Sequence, residues 1–136
     1  LFLDSTIWNY TAENCNEHGD LWNNEDLSIF SRDQQLDPKN IYSGGRGLKA
    51  IIRPYLRKLS GNPIKQAFDL KRREYILIFE DEEDGVLTIF LPEYHYPRGC
   101  NVVFNNGEWS INEEKQELTL NYKGSAQNQL MRILPR

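Results

Sequence analysis

From Gly47 onward, short apolar runs recur and break on polar turns. Glu74 to Glu80 holds Tyr-Ile-Leu-Ile-Phe between charged residues, and Val86 to Leu91 follows an acidic turn. Val102 to Phe104, Glu108 to Asn112, Glu117 to Tyr122 and Leu130 to Leu134 continue the series. In Leu118-Thr119-Leu120-Asn121-Tyr122 apolar and polar positions alternate, the period of a strand with one buried face. Leu48 to Arg53, apolar and stopped by Pro54, reads as an earlier member of the set. Asn106-Gly107 is a hairpin signature, because both residues accept the positive φ of a tight turn. Short strands at even spacing, with no long helical pattern between them, predict an antiparallel β-sandwich.

Residues 1–43 have a different texture. Leu1-Phe2-Leu3-Asp4-Ser5-Thr6-Ile7-Trp8 reads as a buried strand, and a long loop rich in Asn, Asp, Glu and Trp follows it. A short helix is expected over 23–30, with Asn24 as its N-cap and Glu25-Asp26 in the first turn. Leu36-Asp37-Pro38-Lys39-Asn40 and then Ser43-Gly44-Gly45 punctuate the chain as turns and linkers do. The expected organisation is therefore 1–43 and 44–136. The opening residues lack the basic, apolar and small-residue regions of a signal peptide, and the single methionine is Met131. The chain is expected to begin mid-fold, with further protein upstream.

Composition narrows the function classes. A chain of 136 residues can bury a real core. Its net charge of −4 provides no general attraction to nucleic acid, and the largest basic cluster is Lys71-Arg72-Arg73. No apolar run approaches the ~18 residues of a spanning helix, so any membrane contact is expected to be peripheral. Cys15 and Cys100 are either two free thiols or one disulfide, and so few cysteines favour the thiols. Their positions relative to His18 and His95 do not repeat a metal-ligand spacing, and no metal site is expected.

Several residues carry both a functional and a structural interpretation. Trp8 ends the opening strand and offers a flat apolar platform for the C–H face of a sugar; the alternative is a core tryptophan. Asp20, Glu25 and Asp26 could shape a cleft, but loop hydrogen bonding explains them equally well. His18 lies on the same loop. His95, between two tyrosines, suits a packed structural histidine, and Arg46 and Arg53 suit ion pairs between domains. Glu80 to Gly85 lacks the alternating oxygen ligands of a calcium loop and reads as a solvated turn. No phosphate loop, nucleophile elbow or catalytic triad is present.

Gly19-Asp20-Leu21-Trp22-Asn23-Asn24-Glu25-Asp26-Leu27-Ser28-Ile29, with Trp8-Asn9-Tyr10 and Asn14, resembles the end of the catalytic barrel in fungal members of glycoside hydrolase family 5. The branch is that of steryl-β-glucosidases and glucosylceramidases related to endoglycoceramidases. The resemblance continues through Ala50-Ile51-Ile52-Arg53-Pro54-Tyr55, Phe90-Leu91-Pro92, His95-Tyr96-Pro97 and Gly107-Glu108-Trp109. It implies an all-β sandwich preceded by the last strand and loop of a truncated (β/α)8 barrel, and packed on the missing barrel. It also implies a retaining β-glucosidase that acts on glucosylated lipid without a cofactor, using two carboxylic acids about 5 Å apart. Those acids belong to barrel strands four and seven, both upstream, so no catalytic residue transfers to this chain. Trp8 matches the strand-eight tryptophan that lines the glucose subsite, and is the one substrate-binding residue expected. On this basis Leu1, Leu3, Ile7, Ile29 and Phe30 belong to the barrel, and the parent enzyme is expected inside the cell, in cytoplasm or vacuole. The competing class is a non-catalytic carbohydrate-binding or structural sandwich, with Trp22 and Trp109 as sugar platforms.

Overall fold

The structure is a computed structural model that describes residues 6–136; Leu1 and Leu3, assigned above to a barrel strand, lie outside the described residues. The described chain divides into two compact units, the boundary falling between Ile51 and Ile52 in the sequence.

Residues 52–136 form a sandwich of two four-stranded antiparallel sheets. One has the order β1 (Tyr55–Leu59), β4 (Gly85–Phe90), β7 (Glu117–Tyr122), β6 (Gly107–Asn112). The other has the order β2 (Asn62–Asp69), β3 (Glu74–Asp81), β8 (Ser125–Pro135), β5 (Cys100–Val103). The expected antiparallel sandwich is thus present. Its core follows from period-two alternation in the four central strands. Tyr75, Leu77 and Phe79 on β3 face inward with Met131 and Ile133 on β8. Leu87 and Ile89 on β4 face inward with Leu118, Leu120 and Tyr122 on β7. All ten are buried. Phe79 meets Tyr122 edge-on at 4.9 Å between ring centroids, a favourable aromatic geometry.

Three local expectations change. The sequence pattern suggests no strand between Pro54 and Glu74, yet β1 and β2 lie there. Both are edge strands, with Lys58, Pro63 and Lys65 among mostly exposed positions, and such strands carry little apolar signal. Leu48 to Arg53 is not a strand: Leu48–Ile51 is a single helical turn, α1, closed by Ala50 N–H donating to Gly47 O at 2.8 Å. Asn106-Gly107 does not close a hairpin, because β5 pairs with β8 in one sheet and β6 with β7 in the other. The dipeptide carries the chain between sheets. Asn106 Nδ2 donates to Lys123 O and Gln129 Oε1, and a Cβ at Gly107 would lie 2.2 Å from Asn121 O.

Residues 6–51 hold little regular structure: a 3-10 turn at Arg32–Gln34, α1, and bridges between Cys15 and Gly19 and between Phe30 and Gly45. The unit runs beyond residue 43 because Gly44 O accepts from Ser31 N at 2.9 Å and Arg46 N donates to Ile29 O at 2.7 Å. The helix expected over 23–30 is absent. Asn23 and Asn24 take left-handed φ values of 48° and 58°, which place the chain in a turn. Asp20, rather than Asn24, captures the free N–H groups of Trp22 and Leu27.

Candidate functional site

The first unit is organised around polar groups. Among its described residues no large apolar side chain is buried, whereas Asn14, Asp20, Ser28 and Ser31 are. Asp20 is the hub. Its Oδ2 accepts from Asn9 Nδ2 at 2.9 Å and Leu27 N at 3.3 Å, and its Oδ1 from Trp22 N at 3.2 Å. A carboxylate accepts several such bonds at once, which suits it to knit a loop that lacks ladder hydrogen bonds. Ser28 adds a second tie, its Oγ accepting from Thr11 N at 2.9 Å. These bonds cross 11 and 17 residues and tie distant parts of the segment to one another.

Trp8 precedes this anchor directly. Asn9 is held by Asp20 through its side chain and by Ile29 N through its carbonyl at 2.9 Å. Trp8 itself is 69% exposed, and Ile7, Tyr10, Leu21, Trp22 and Leu27 are also exposed. The Trp8–Asn9 peptide is cis. Trp8 is therefore no core residue within this chain, and its backbone position is set by buried polar contacts on the following residue.

The other candidates resolve into structural roles. Arg46 grips Asp26 through two nitrogens, at 2.6 and 3.0 Å, and Asn14 Nδ2 donates to the same carboxylate at 2.8 Å. The Arg46 contact first, and Asn14 second, hold the Asp26 carboxyl below the ordinary carboxylate range. Arg46 thus pairs within its own unit. Arg53 lies over the Phe68 ring at 5.6 Å. His18 and Asp26 line an open cavity of about 480 Å³ that does not include Trp8. Glu25 donates its backbone N–H to Trp22 O and is half-buried. His95 is buried against Phe68 and Tyr94, with Nε2 2.8 Å from Ile52 O, the packed role expected of it. Burial lowers its pKa.

In the Glu80–Gly85 turn, Asp81 accepts from Tyr122 OH at 2.6 Å, and Asp84 pairs with Lys123 Nζ at 2.6 Å. No group of three or more possible metal ligands occurs among the described residues. Cys15 and Cys100 are both free, with Cys100 buried and Cys15 half-buried. Among the described residues no helix is long and apolar enough to cross a membrane.

Asp20 is the residue whose importance the sequence conceals. Its structural role depends on partners 2 to 11 positions away, and no short motif announces them.

Comparison with known proteins follows the same division. Residues 53–133, nearly all of the sandwich, match the glycoside hydrolase family 5 C-terminal domain. A glucosylceramidase of Rhizopus delemar is 34% identical over 89% of the chain, and an ergosteryl-beta-glucosidase of Saccharomyces cerevisiae is 25% identical over 85%. The crystal structure of Cryptococcus neoformans sterylglucosidase 1 with tris superposes with a TM-score of 0.81 over 95% of the chain, at 26% identity. These coverages reach well before residue 53, so the first unit shares in the likeness. The chain spans 20% to 23% of the length of the two relatives and 21% of the solved structure. An antiparallel sandwich of this topology, matched over its whole core, makes the chain a member of glycoside hydrolase family 5, whose C-terminal domain it carries.

Proposed function

We propose that this chain is the C-terminal part of a retaining β-glucosidase that acts on glucosylated lipids such as glucosylceramide or steryl glucosides, and that Trp8 forms one wall of its glucose subsite. The observation that carries the proposal is the composition of the first unit. It buries polar side chains and exposes Ile7, Trp8, Tyr10, Leu21, Trp22 and Leu27, the reverse of what a self-contained fold does. Such a segment suits the last strand and loop of a (β/α)8 barrel, whose missing neighbours cover its apolar groups. Strand C-termini form the active-site face of such barrels, and Trp8 stands at the end of the opening apolar run. The names of the Rhizopus and Saccharomyces relatives support glucosylated lipid as the substrate class.

Both catalytic carboxylates then lie outside this chain, which supplies a wall and a scaffold. The full-length protein, assayed on glucosylceramide and on ergosteryl glucoside, should release glucose from at least one. The 136-residue chain alone should release none, even from an activated aryl β-glucoside, because double displacement requires both acids. Turnover by the pure chain overturns the proposal, as does a full-length protein inactive on both lipids. A sugar-binding sandwich is the weaker reading. Trp109, 39% exposed on the edge strand β6, pairs with buried Leu120 across the β6–β7 ladder, which directs its side chain to the inner-face side of the sheet rather than the outer face.

Within this proposal the enzyme works inside the cell, in cytoplasm or vacuole, where two free thiols are at ease. A fluorescent fusion of the full-length gene tests the compartment.

A further inference from the structure

One end of the sandwich gathers three arginines that have no ion pair among the described residues. The register explains how. Tyr75 pairs with Ile133 and Cys100 pairs with Pro135, so the start of β3, the end of β8 and the approach to β5 come together. Arg73 precedes β3, Arg136 follows β8, and Arg98 precedes β5 by two residues. All three line one cavity of about 320 Å³, with Pro97, Gly99 and Pro135 completing its wall. That volume is at the small end of the ~300–1,000 Å³ range of ligand sites.

No Asp or Glu side chain lines the cavity, although the chain holds 20 acidic residues against 16 basic ones. Among the described residues none of the three arginines has an ion pair. The nearest acid in sequence, Glu74, is buried and committed to Arg132 Nε at 2.6 Å. Glu93 and Glu113 line a neighbouring cavity that shares Arg136, and neither pairs with it. Arg136 is preset: its Nε donates to Cys100 O at 3.1 Å, and its N–H donates to Gly99 O at 3.2 Å. Gly99, in the left-handed region at φ 80°, closes the turn that brings Arg98 beside Arg136. The guanidinium end of Arg136 is thereby held, with its terminal nitrogens free to donate.

We propose that this cavity is a binding site for a phosphomonoester, carried either by a lipid headgroup or by a soluble molecule. Three guanidinium forks match a group with three terminal oxygens and nearly two negative charges. A carboxylate, with two oxygens and one charge, leaves one fork idle. The site lies wholly within residues 52–136 and does not depend on the glucosidase proposal.

The test uses the 136-residue chain. Inorganic phosphate is titrated by calorimetry, and vesicles of phosphatidylcholine with or without phosphatidic acid are tested by co-sedimentation. Saturable phosphate binding without phosphatidic-acid-dependent sedimentation assigns a soluble ligand, and such sedimentation assigns a lipid headgroup. In either arm the triple variant R73Q/R98Q/R136Q should bind about tenfold more weakly or worse, since even one lost charge-assisted bond is worth a factor of about ten or more. The variant K58Q/K65Q/K123Q, with the same loss of charge elsewhere on the sandwich, should bind within about twofold of the parent chain, because bulk charge is screened over roughly 10 Å. If the triple variant loses its circular dichroism signature, R73Q and R98Q, both on exposed turns, carry the test singly. Absence of binding in both arms, or equal losses in the two charge-matched variants, overturns the proposal.

Discussion

Trp8 and His95 are two residues of opposite kind, and each makes a separable prediction. Trp8 has little of its surface covered within this chain. Trp8→Ala should therefore leave the melting temperature of the 136-residue chain nearly unchanged, where a core tryptophan lost to alanine costs about 3–5 kcal/mol. Under the proposed placement of Trp8 in the glucose subsite, the same change in the full-length protein should lower kcat/KM. An unchanged kcat/KM would strip Trp8 of its assigned role. His95 is buried and held neutral by that burial, so its folded pKa lies below its unfolded value of about 6.5. Below that value the unfolded chain binds the extra proton and the folded one resists it. The stabilising contribution is thus complete above about pH 6.5 and is lost as pH falls through the lowered folded value. Thermal melts of the parent chain should decline between pH 7.5 and pH 5, and His95→Gln should flatten that decline; parallel curves would exclude His95 as its source. Residue type and neighbours made His95 legible in the sequence as a packed histidine. Asp20 was not legible, because its buried role depends on how Asn9, Trp22 and Leu27 return to it in space.

The strands show where sequence patterns succeed and where they fail. β3, β4 and β7 are legible because each is central, with one face against the opposite sheet: β7 alternates in sequence, and β3 and β4 read as apolar runs whose burial alternates. β1 and β2 are edge strands whose inner faces are only partly covered, and Lys and Pro guard their free edges. Their polarity makes them look like loop. Asn106-Gly107 misleads for a different reason: turn chemistry is local, whereas the partner of β6 is chosen by the later strand β7. Glycine is still needed there. A methyl group on Gly107 would press within 2.2 Å of Asn121 O, a backbone atom of the adjacent strand. Gly107→Ala should therefore destabilise the sandwich by about 1–3 kcal/mol, the usual scale of overpacking. Urea denaturation of the two proteins measures this, and equal midpoints would mean that the β6–β7 ladder shifts without strain.

At the scale of the whole molecule, the two units are stabilised by different forces, and hydrogen exchange should separate them. The sandwich owes its stability to apolar burial. Leu77, Phe79, Leu87, Ile89, Leu118, Leu120, Met131 and Ile133 are each fully enclosed, and each such side chain contributes about 1.5–3 kcal/mol. Residues 6–51 have no equivalent. Their buried polar side chains are Asn14, Asp20, Ser28 and Ser31; Ser31 Oγ has no partner among the described residues, and the hydrogen bonds of the other three net only about 0.5–1.5 kcal/mol apiece because water offers the same bonds to the unfolded segment. Ordering the backbone costs about 1–2 kcal/mol per residue, so a polar network of this size cannot hold the unit rigid by itself. In the isolated chain the amides of β3, β7 and β8 should exchange only on global unfolding, and those of residues 6–51 should exchange orders of magnitude faster through local opening. Under the proposed packing on a barrel, the first unit of the full-length protein should gain protection towards that of the sandwich, because barrel neighbours would cover the exposed Ile7, Trp8, Tyr10, Leu21 and Leu27. If residues 6–51 are instead as protected as β3 in the isolated chain, the polar network is a sufficient core, and the case for a missing barrel loses its main physical support.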